Sequence, residues 1–202
     1  MAIDEIFIYG ASGHGKVVAD IIQSCGYKIG GWIDDREIEN SYSWEIFCST
    51  HPSAHIALGI GDNTSRAKIY HKISEAGYHL PVLIHPSAVV SASAMLKEGT
   101  VIMPLAVVNA DTYIGYGCIV NSGSIVEHDC DIQDFVHISP NAALAGNVHI
   151  GHHTHIGIGS CIIQNITIGS NTIIGAGSVV IRSIASNAIA VGIPASVKNT
   201  KS

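Results

Sequence analysis

The segment Asn121-Ser-Gly-Ser-Ile-Val-Glu127-His128-Asp129-Cys130 places an imidazole, two carboxylates and a thiol within ten residues. A neutral imidazole takes up a proton near physiological pH, so His128 suits the work of a general base. A carboxylate beside it, Asp129 or Glu127, would orient the ring and raise its basicity. A second imidazole, His137, follows nine residues on in Asp134-Phe-Val-His137. This is chemistry for removing a proton from an attacking group. No Ser or Cys lies in a nucleophile motif, so nothing calls for a covalent intermediate.

What must hold these groups in place is a repeat of six residues running from Ile84 to Ala185. Its first column reads Ile84, Val90, Leu96, Ile102, Val108, Ile114, Val120, Val126, Ile132, Ile138, Leu144, Ile150, Ile156, Ile162, Ile168, Ile174 and Val180, all branched aliphatics. The fifth column, from Ala88 and Ala94 through Cys118 and Cys130 to Ser178 and Ile184, is small or β-branched throughout. So short a period is a solenoid of strands rather than helices. Three hexapeptides close one triangular coil of eighteen residues, and seventeen make a prism of between five and six coils, roughly 25 Å tall. The Gly that often follows the aliphatic, as in Ile150-Gly151 and Ile156-Gly157, is expected to relieve the corner backbone. His128 falls in the outward third column. One coil above it stands Gly146, which leaves a groove beside the imidazole. Cys130 falls in the inward fifth column, which argues against it as a nucleophile.

Residues 1–82 lack this period and are expected to form a separate α/β domain, with 83–202 the solenoid and its tail. Glu5–Tyr9, Gly31–Asp35 and Ile56–Gly61 read as three strands, with helices over about 16–24 and from Asn63 to about Ala76. Alternating strands and helices predict a small Rossmann-like parallel sheet. Gly10-Ala-Ser-Gly13-His14-Gly15 opens the first helix, an arrangement that binds anions. Asp34 and Asp35 lie about twenty residues past that turn, where such folds read a ribose or base. Three strands suit a mononucleotide-sized ligand better than a dinucleotide.

Composition narrows the classes. Apolar residues make up 47% and charged residues 13%, which fits an aliphatic prism with buried subunit faces. A net charge of −6 disfavours nucleic acid. No apolar run reaches spanning length, and Met1 through Glu5 has no signal-peptide pattern. Five cysteines, two of them in the inward column, read as reduced thiols in the cytoplasm.

The chain resembles the hexapeptide-repeat sugar acetyltransferases that join a nucleotide-sugar domain to a left-handed β-helix. They include the sialic acid O-acetyltransferases and the UDP-4-amino-sugar N-acetyltransferases of bacillosamine biosynthesis. The resemblance rests on Ile8-Tyr-Gly-Ala-Ser-Gly-His-Gly15, Asp34-Asp35, Ile60-Gly61-Asp-Asn63, Leu83-Ile-His-Pro-Ser-Ala88, Asn121 to Cys130, Ala145-Gly-Asn147 and Val191-Gly-Ile-Pro-Ala195. It implies an acetyl-CoA-dependent enzyme, a homotrimer with cofactor grooves between prisms, and no metal. His128 would be the base and Asp129 its partner, one methylene shorter than the Glu expected there. Asn121 and His137 would position the acetyl thioester, and Gly146, Ile158 and Ala176 would hold coenzyme A through their main chain. Ser12, Gly13, His14, Asp34, Asp35 and Gly61 would contact the UDP-amino-sugar.

Three alternatives compete with this reading. The acceptor is a sialic acid hydroxyl or a GDP-linked amino sugar. The protein is a γ-carbonic anhydrase-like metalloenzyme using His149, His152, His153 and His155, although one strand does not easily converge them. Or the solenoid binds a nucleotide sugar without turnover.

Overall fold

Ile6, Phe7, Ile8 and Tyr9 are all buried, as befits a central strand covered on both faces. The computed structural model describes residues 4–36 and 38–200. It begins with β1 (Glu5–Tyr9), α1 (Gly13–Ser24), β2 (Lys28–Ile33), β3 (Ser41–Tyr42), α2 (Trp44–Thr50), β4 (His55–Leu58) and α3 (Asn63–Glu75). The sheet order is β3-β2-β1-β4 and every pairing is parallel. Four strands replace the expected three. The extra strand has two residues and α2 has seven, too few for either to show a period. The first helix starts at Gly13 rather than Lys16, and the two acids stand just beyond β2 rather than ending it. Gly15 lets α1 press on β1, since a Cβ there would overlap the Gly10 carbonyl.

From Leu83 the chain winds through seventeen two-residue strands, ending at Val179–Val180, which stack into three parallel sheets. Partners lie one eighteen-residue coil apart, as Tyr113 with Asp131 and Ile119 with His137. First-column aliphatics from Ile102 to Val180 form one continuous core with fifth-column residues such as Ala106, Cys118 and Val136. Most fifth-column hydroxyls survive burial by donating to a corner carbonyl, and Ser178 instead accepts from the Gly192 amide. Thr100 donates to Gly115 at 2.8 Å and Thr154 to Gly169 at 2.7 Å. The tail closes as a hairpin of Ala188–Val191 with Ser196–Thr200, continuing one of the three sheets.

Two expectations are corrected here. The left-handed backbone lies in the fourth column, at Asp111, Asn141, Asn147, Asn165 and Asn171 among others, not at the glycines after the aliphatic. Those glycines serve close approach instead: a Cβ on Gly151 would overlap the Ser170 backbone nitrogen, and one on Gly157 would lie 2.7 Å from that of Ala176. The repeat also shortens after Val180. Ile184 bridges Ile168, sixteen residues back, and so fills the first column rather than the fifth. A strict period would have put Ser186 into the aliphatic core.

The three outer faces differ. One carries Leu83, Val101 and Ile119, buried with Ile6, Ile8, Val18 and Ile22 of the α/β domain, and continues through His137, His155 and Ile173. The second carries Val89, Val107, Ile125, Ala143, Cys161 and Val179, apolar from end to end. The third is mostly polar, with Asp131, His149 and Thr167. Among the described residues no helix is long and apolar enough to cross a membrane.

Gly151→Ala should therefore cost about 1–3 kcal/mol by overpacking, lowering Tm by several degrees, while Asn171→Gly stays within a degree or two. A thermal melt in which Gly151→Ala matches the parent would remove the close-approach account.

Candidate active site

His128 stands in the corner between the strands Ile125–Val126 and Asp131–Ile132. Asp129 occupies the left-handed fourth column with φ of 60°, which turns its carboxylate back onto the preceding ring. His128 Nδ1 lies 2.7 Å from Asp129 Oδ2. A carboxylate accepts only, so Nδ1 carries the proton and Nε2 keeps its lone pair. The hydrogen bond to Asp129, and then the charges of Asp129 and Glu127, hold the imidazole above the ordinary histidine range. Of the two candidate acids, Asp129 bonds the ring and Glu127 acts through its charge alone. Gly146, one coil above, gives the ring its room: a Cβ there would come within 2.7 Å of Cε1 and Nε2, and the exposed imidazole would have to swing away. The space beside Gly146 thus holds the imidazole itself. Cys130 is buried, its thiol pushed up by burial.

Asn121 and His137 form a separate pair. Asn121 Oδ1 accepts from the Ser122 amide at 2.8 Å, which turns its amide nitrogen to His137 Nε2 at 3.0 Å. His137 then protonates on Nδ1, which is buried near Gly61 without hydrogen-bond geometry. Burial, followed by the proximity of His155 and Arg66, pushes His137 down to about 3. It is a neutral hydrogen-bonding group and not a base for bulk protons. Asn121 sits in the corner after Ile119–Val120, one corner before that of His128. The third-column residues divide the same way. Gly146 stacks on His128, whereas Ile158 and Ala176 follow the strands His155–Ile156 and Ile173–Ile174 at the Asn121 corner. Within one chain the fold does not bring these two sets together. They flank opposite edges of the wholly apolar face.

In the α/β domain a cleft of about 340 Å³ opens at the carboxyl ends of β1, β2 and β4, lined by Ser12, Asp34, Asp35, Arg36 and Ile60 among others. This is the crevice where open α/β sheets take ligands. Ser12 does not cap α1; its hydroxyl donates to the Gly59 carbonyl instead. Space around Gly13 is open, so the helix amides are accessible to an anion. The acids are less free than the sequence implies. Asp34 is buried, accepts from the Ala11 amide at 2.9 Å and grips Arg36 through both oxygens. The Arg36 hydrogen bonds drive its carboxyl down to about 2. Asp35 accepts from Tyr9 Oη and Lys72 Nζ, each at 2.6 Å. The two carboxylates are thus neutralised in pairs.

A larger cleft of about 510 Å³ lies where that domain meets the solenoid, lined by Gly61, Asp62, Asn63, Thr64, His137, His153, His155 and Ile173. His14 adjoins it, half-buried and pushed down to about 4 by burial and then by Arg66. Arg66 holds this junction together and the sequence reading missed it. It is 1% exposed, and donates to Gly117 O at 2.6 Å, Gly61 O at 2.8 Å, Asn63 Oδ1 at 2.8 Å and Phe135 O at 2.9 Å. The remaining imidazoles are dispersed: His149 faces Asp131 at 3.8 Å, His152 faces Asp134 at 3.5 Å, and His155 contacts Ser139 Oγ at 3.0 Å. Among the described residues no group of three or more His, Cys, Asp or Glu is placed to hold a metal ion.

A parallel β-prism bearing an exposed, carboxylate-oriented imidazole, joined to a four-stranded Rossmann-like domain, defines an acyltransferase of the left-handed β-helix class. Residues 5–73 match the family described as the PglD N-terminal domain. The chain is 35% identical to the perosamine N-acetyltransferase of Caulobacter crescentus, solved with CoA and GDP-perosamine as a histidine-to-asparagine variant. That match covers 98% of both chains with a TM-score of 0.93. It is 37% identical to the acetyltransferase domain of PglB from Neisseria gonorrhoeae FA1090 in complex with acetyl coenzyme A, over 98% of this chain and 100% of that one, with a TM-score of 0.91. It also matches the UDP-N-acetylbacillosamine N-acetyltransferase of Bacillus subtilis (strain 168), 37% identical over 109 residues, 48% of this chain and about half the length of that relative. The chain belongs to the hexapeptide-repeat sugar acetyltransferase family.

A base must be neutral to accept a proton, and the Asp129 bond raises the pH at which His128 becomes so. The rate should climb with pH through an apparent pKa above the usual histidine value. Asp129→Asn should shift that limb to lower pH and lower the plateau. A profile of kcat/KM unmoved by this substitution would separate Asp129 from the base.

Proposed function

We propose that the protein transfers the acetyl group of acetyl-CoA to the 4-amino group of a nucleotide-linked amino-deoxy sugar, UDP-linked in the favoured case. The observation that carries this is the His128–Asp129 pair, with Nε2 unencumbered beside Gly146. The neutral amine attacks the thioester carbonyl, a C–N bond forms and the C–S bond breaks. His128 Nε2 takes the amine proton and the coenzyme A thiolate leaves with the electron pair. The Asn121–His137 pair supplies neutral hydrogen bonds to the acetyl carbonyl. Gly146, Ile158 and Ala176 line the cofactor groove. The nucleotide lies in the cleft of Ser12, Asp34 and Asp35, with its diphosphate at the amides of Gly13 and His14. The sugar passes Gly61 toward His137. Of the two acids, Asp35 is the more accessible to a base or ribose, while Asp34 acts by fixing Arg36 and the Ala11 turn.

The working unit in this reading is a homotrimer. Its interface is the apolar face of Val89, Val107 and Ile125, where Val89 is 62% exposed in the single chain. Packing that face about a threefold axis sets the His128 corner of one protomer against the Asn121 corner of the next. Five unpaired cysteines favour a reducing, cytoplasmic setting. A GDP-linked acceptor is the second reading, favoured by the likeness to the perosamine enzyme.

Acetyl transfer measured against UDP-, GDP- and CMP-linked sugars should show an amine on a UDP sugar as the best acceptor. His128→Ala should lower turnover about 10²-fold or more with coenzyme A affinity little changed. Transfer confined to sugar hydroxyls, or full activity without His128, would overturn the proposal.

A further inference from the structure

The fourth column of the solenoid is a column of left-handed backbone, and it is filled by Gly, Asn or Asp almost throughout. Leu105, Phe135 and His153 are bulky exceptions; the last two, one coil apart in the same corner, have φ of 57° and 59°. Such a residue carries a backbone penalty of about 1–2 kcal/mol, and strain of this kind concentrates where a site needs the side chain. Phe135 earns its place in the interdomain core, packed with Tyr70, Ile73 and Leu80. His153 stacks on Phe135 at 5.3 Å with rings 20° apart, a role any flat ring would fill. Its polarity is unexplained by packing. Nδ1 is enclosed beside the Asn63 backbone, which it approaches without reaching good hydrogen-bond geometry.

Two more imidazole nitrogens at this junction, His14 Nε2 and His137 Nδ1, are likewise enclosed without a partner in good hydrogen-bond geometry, the second beside the Gly61 backbone. Buried polar atoms are satisfied in the great majority of cases, so three at one junction mark a place where ligand groups complete the bonding. Burial keeps all three rings neutral. Each therefore offers one donor and one acceptor. The cleft lining includes the Asp62 carboxylate and no cation. That chemistry suits hydroxyl or amide groups and disfavours phosphate. Ile60 lines the nucleotide cleft and Gly61 lines this one, so a ligand anchored by its nucleotide in the first would carry its sugar into the second.

We propose that His153, whose ring lines this cleft, is a specificity-determining residue for the acceptor, hydrogen-bonding through its imidazole to a polar substituent of the sugar ring seated there. The assignment rests on the nucleotide-sugar reading above. The test is calorimetric titration of the intact protein with two matched pairs: UDP and a UDP-linked 4-amino sugar, and GDP and a GDP-linked one. His153→Phe keeps the ring stack and removes both nitrogens; His153→Asn suits the left-handed backbone and keeps hydrogen-bonding capacity. For whichever pair the parent binds, His153→Phe should weaken the sugar nucleotide about three- to tenfold and leave the bare diphosphate unchanged. His153→Asn should fall between, so a fold-compromised Phe variant still leaves a readout. Equal losses for sugar nucleotide and diphosphate, or none for either, would overturn the assignment alone. A parent protein that binds neither pair would overturn the nucleotide-sugar reading and this assignment with it.

Discussion

One buried guanidinium decides how the two halves of the molecule meet. Every hydrogen bond made by Arg66 goes to a neutral oxygen: carbonyls of Ile60 and Gly61 and the Asn63 side chain on one side, carbonyls of Gly117, Phe135 and Val136 on the other. An unpaired charge is costly to bury, and burial draws Arg66 down to about 10. It remains charged at neutral pH because a planar fork of five donors can collect that many carbonyls at once. Gly117 and Phe135 are stacked coils of one corner, so the bonds fix both the distance and the twist of the α/β domain against the prism. A shift of that domain would separate Gly61 from His137 and dissolve the cleft between them. Removing Arg66 would leave the same carbonyls buried and unpaired, which is why the joint tolerates no drift.

The same side chain is put to opposite uses around this frame. His128 stands exposed with a carboxylate on its rear nitrogen, and its affinity for protons rises. His137 and His14 are enclosed beside Arg66, and theirs falls to about 3 and about 4. Environment alone separates one readily protonated imidazole from two that stay neutral. Local charge pairing works similarly in the cleft of Asp34 and Asp35. Two adjacent carboxylates would repel a diphosphate, but Arg36 and Lys72 neutralise them, leaving the uncapped end of α1 attractive to an anion.

Much of this was legible in the sequence because the solenoid writes its geometry into every sixth residue. The columns placed His128 outward, Cys130 inward and Gly146 one coil above, while the choice between Asp129 and Glu127 as partner of the ring needed the left-handed φ of Asp129. What escaped the reading depends on contacts between distant segments. Arg66 looks like any surface arginine of a polar helix until α3 is docked on the prism. The glycines after the aliphatics gave a correct location and a wrong reason, since the constraint comes from the backbone of the next coil and not from their own φ. Ile184 changed columns because core filling outweighs periodicity at the end of a repeat. Asp34 and Asp35 were found by spacing from the Gly-rich turn, but their protein partners lie on a loop and on α3. In the sequence His153 is one histidine among four between 149 and 155, and the stack on Phe135 is what sets it apart.

One chain keeps the His128 corner apart from the Asn121–His137 corner, so the proposed reaction requires a site shared between protomers. The most direct measurement is subunit mixing. His128→Ala and His137→Ala proteins, each inactive alone, are dissociated, combined in equal amounts and reassembled. In a cyclic trimer every mixed assembly regains one intact site of three, so the mixture should recover about a quarter of the parent rate. Recovery no greater than that of either variant alone would show that both histidines act within a single chain, or do not act together, and would contradict the account.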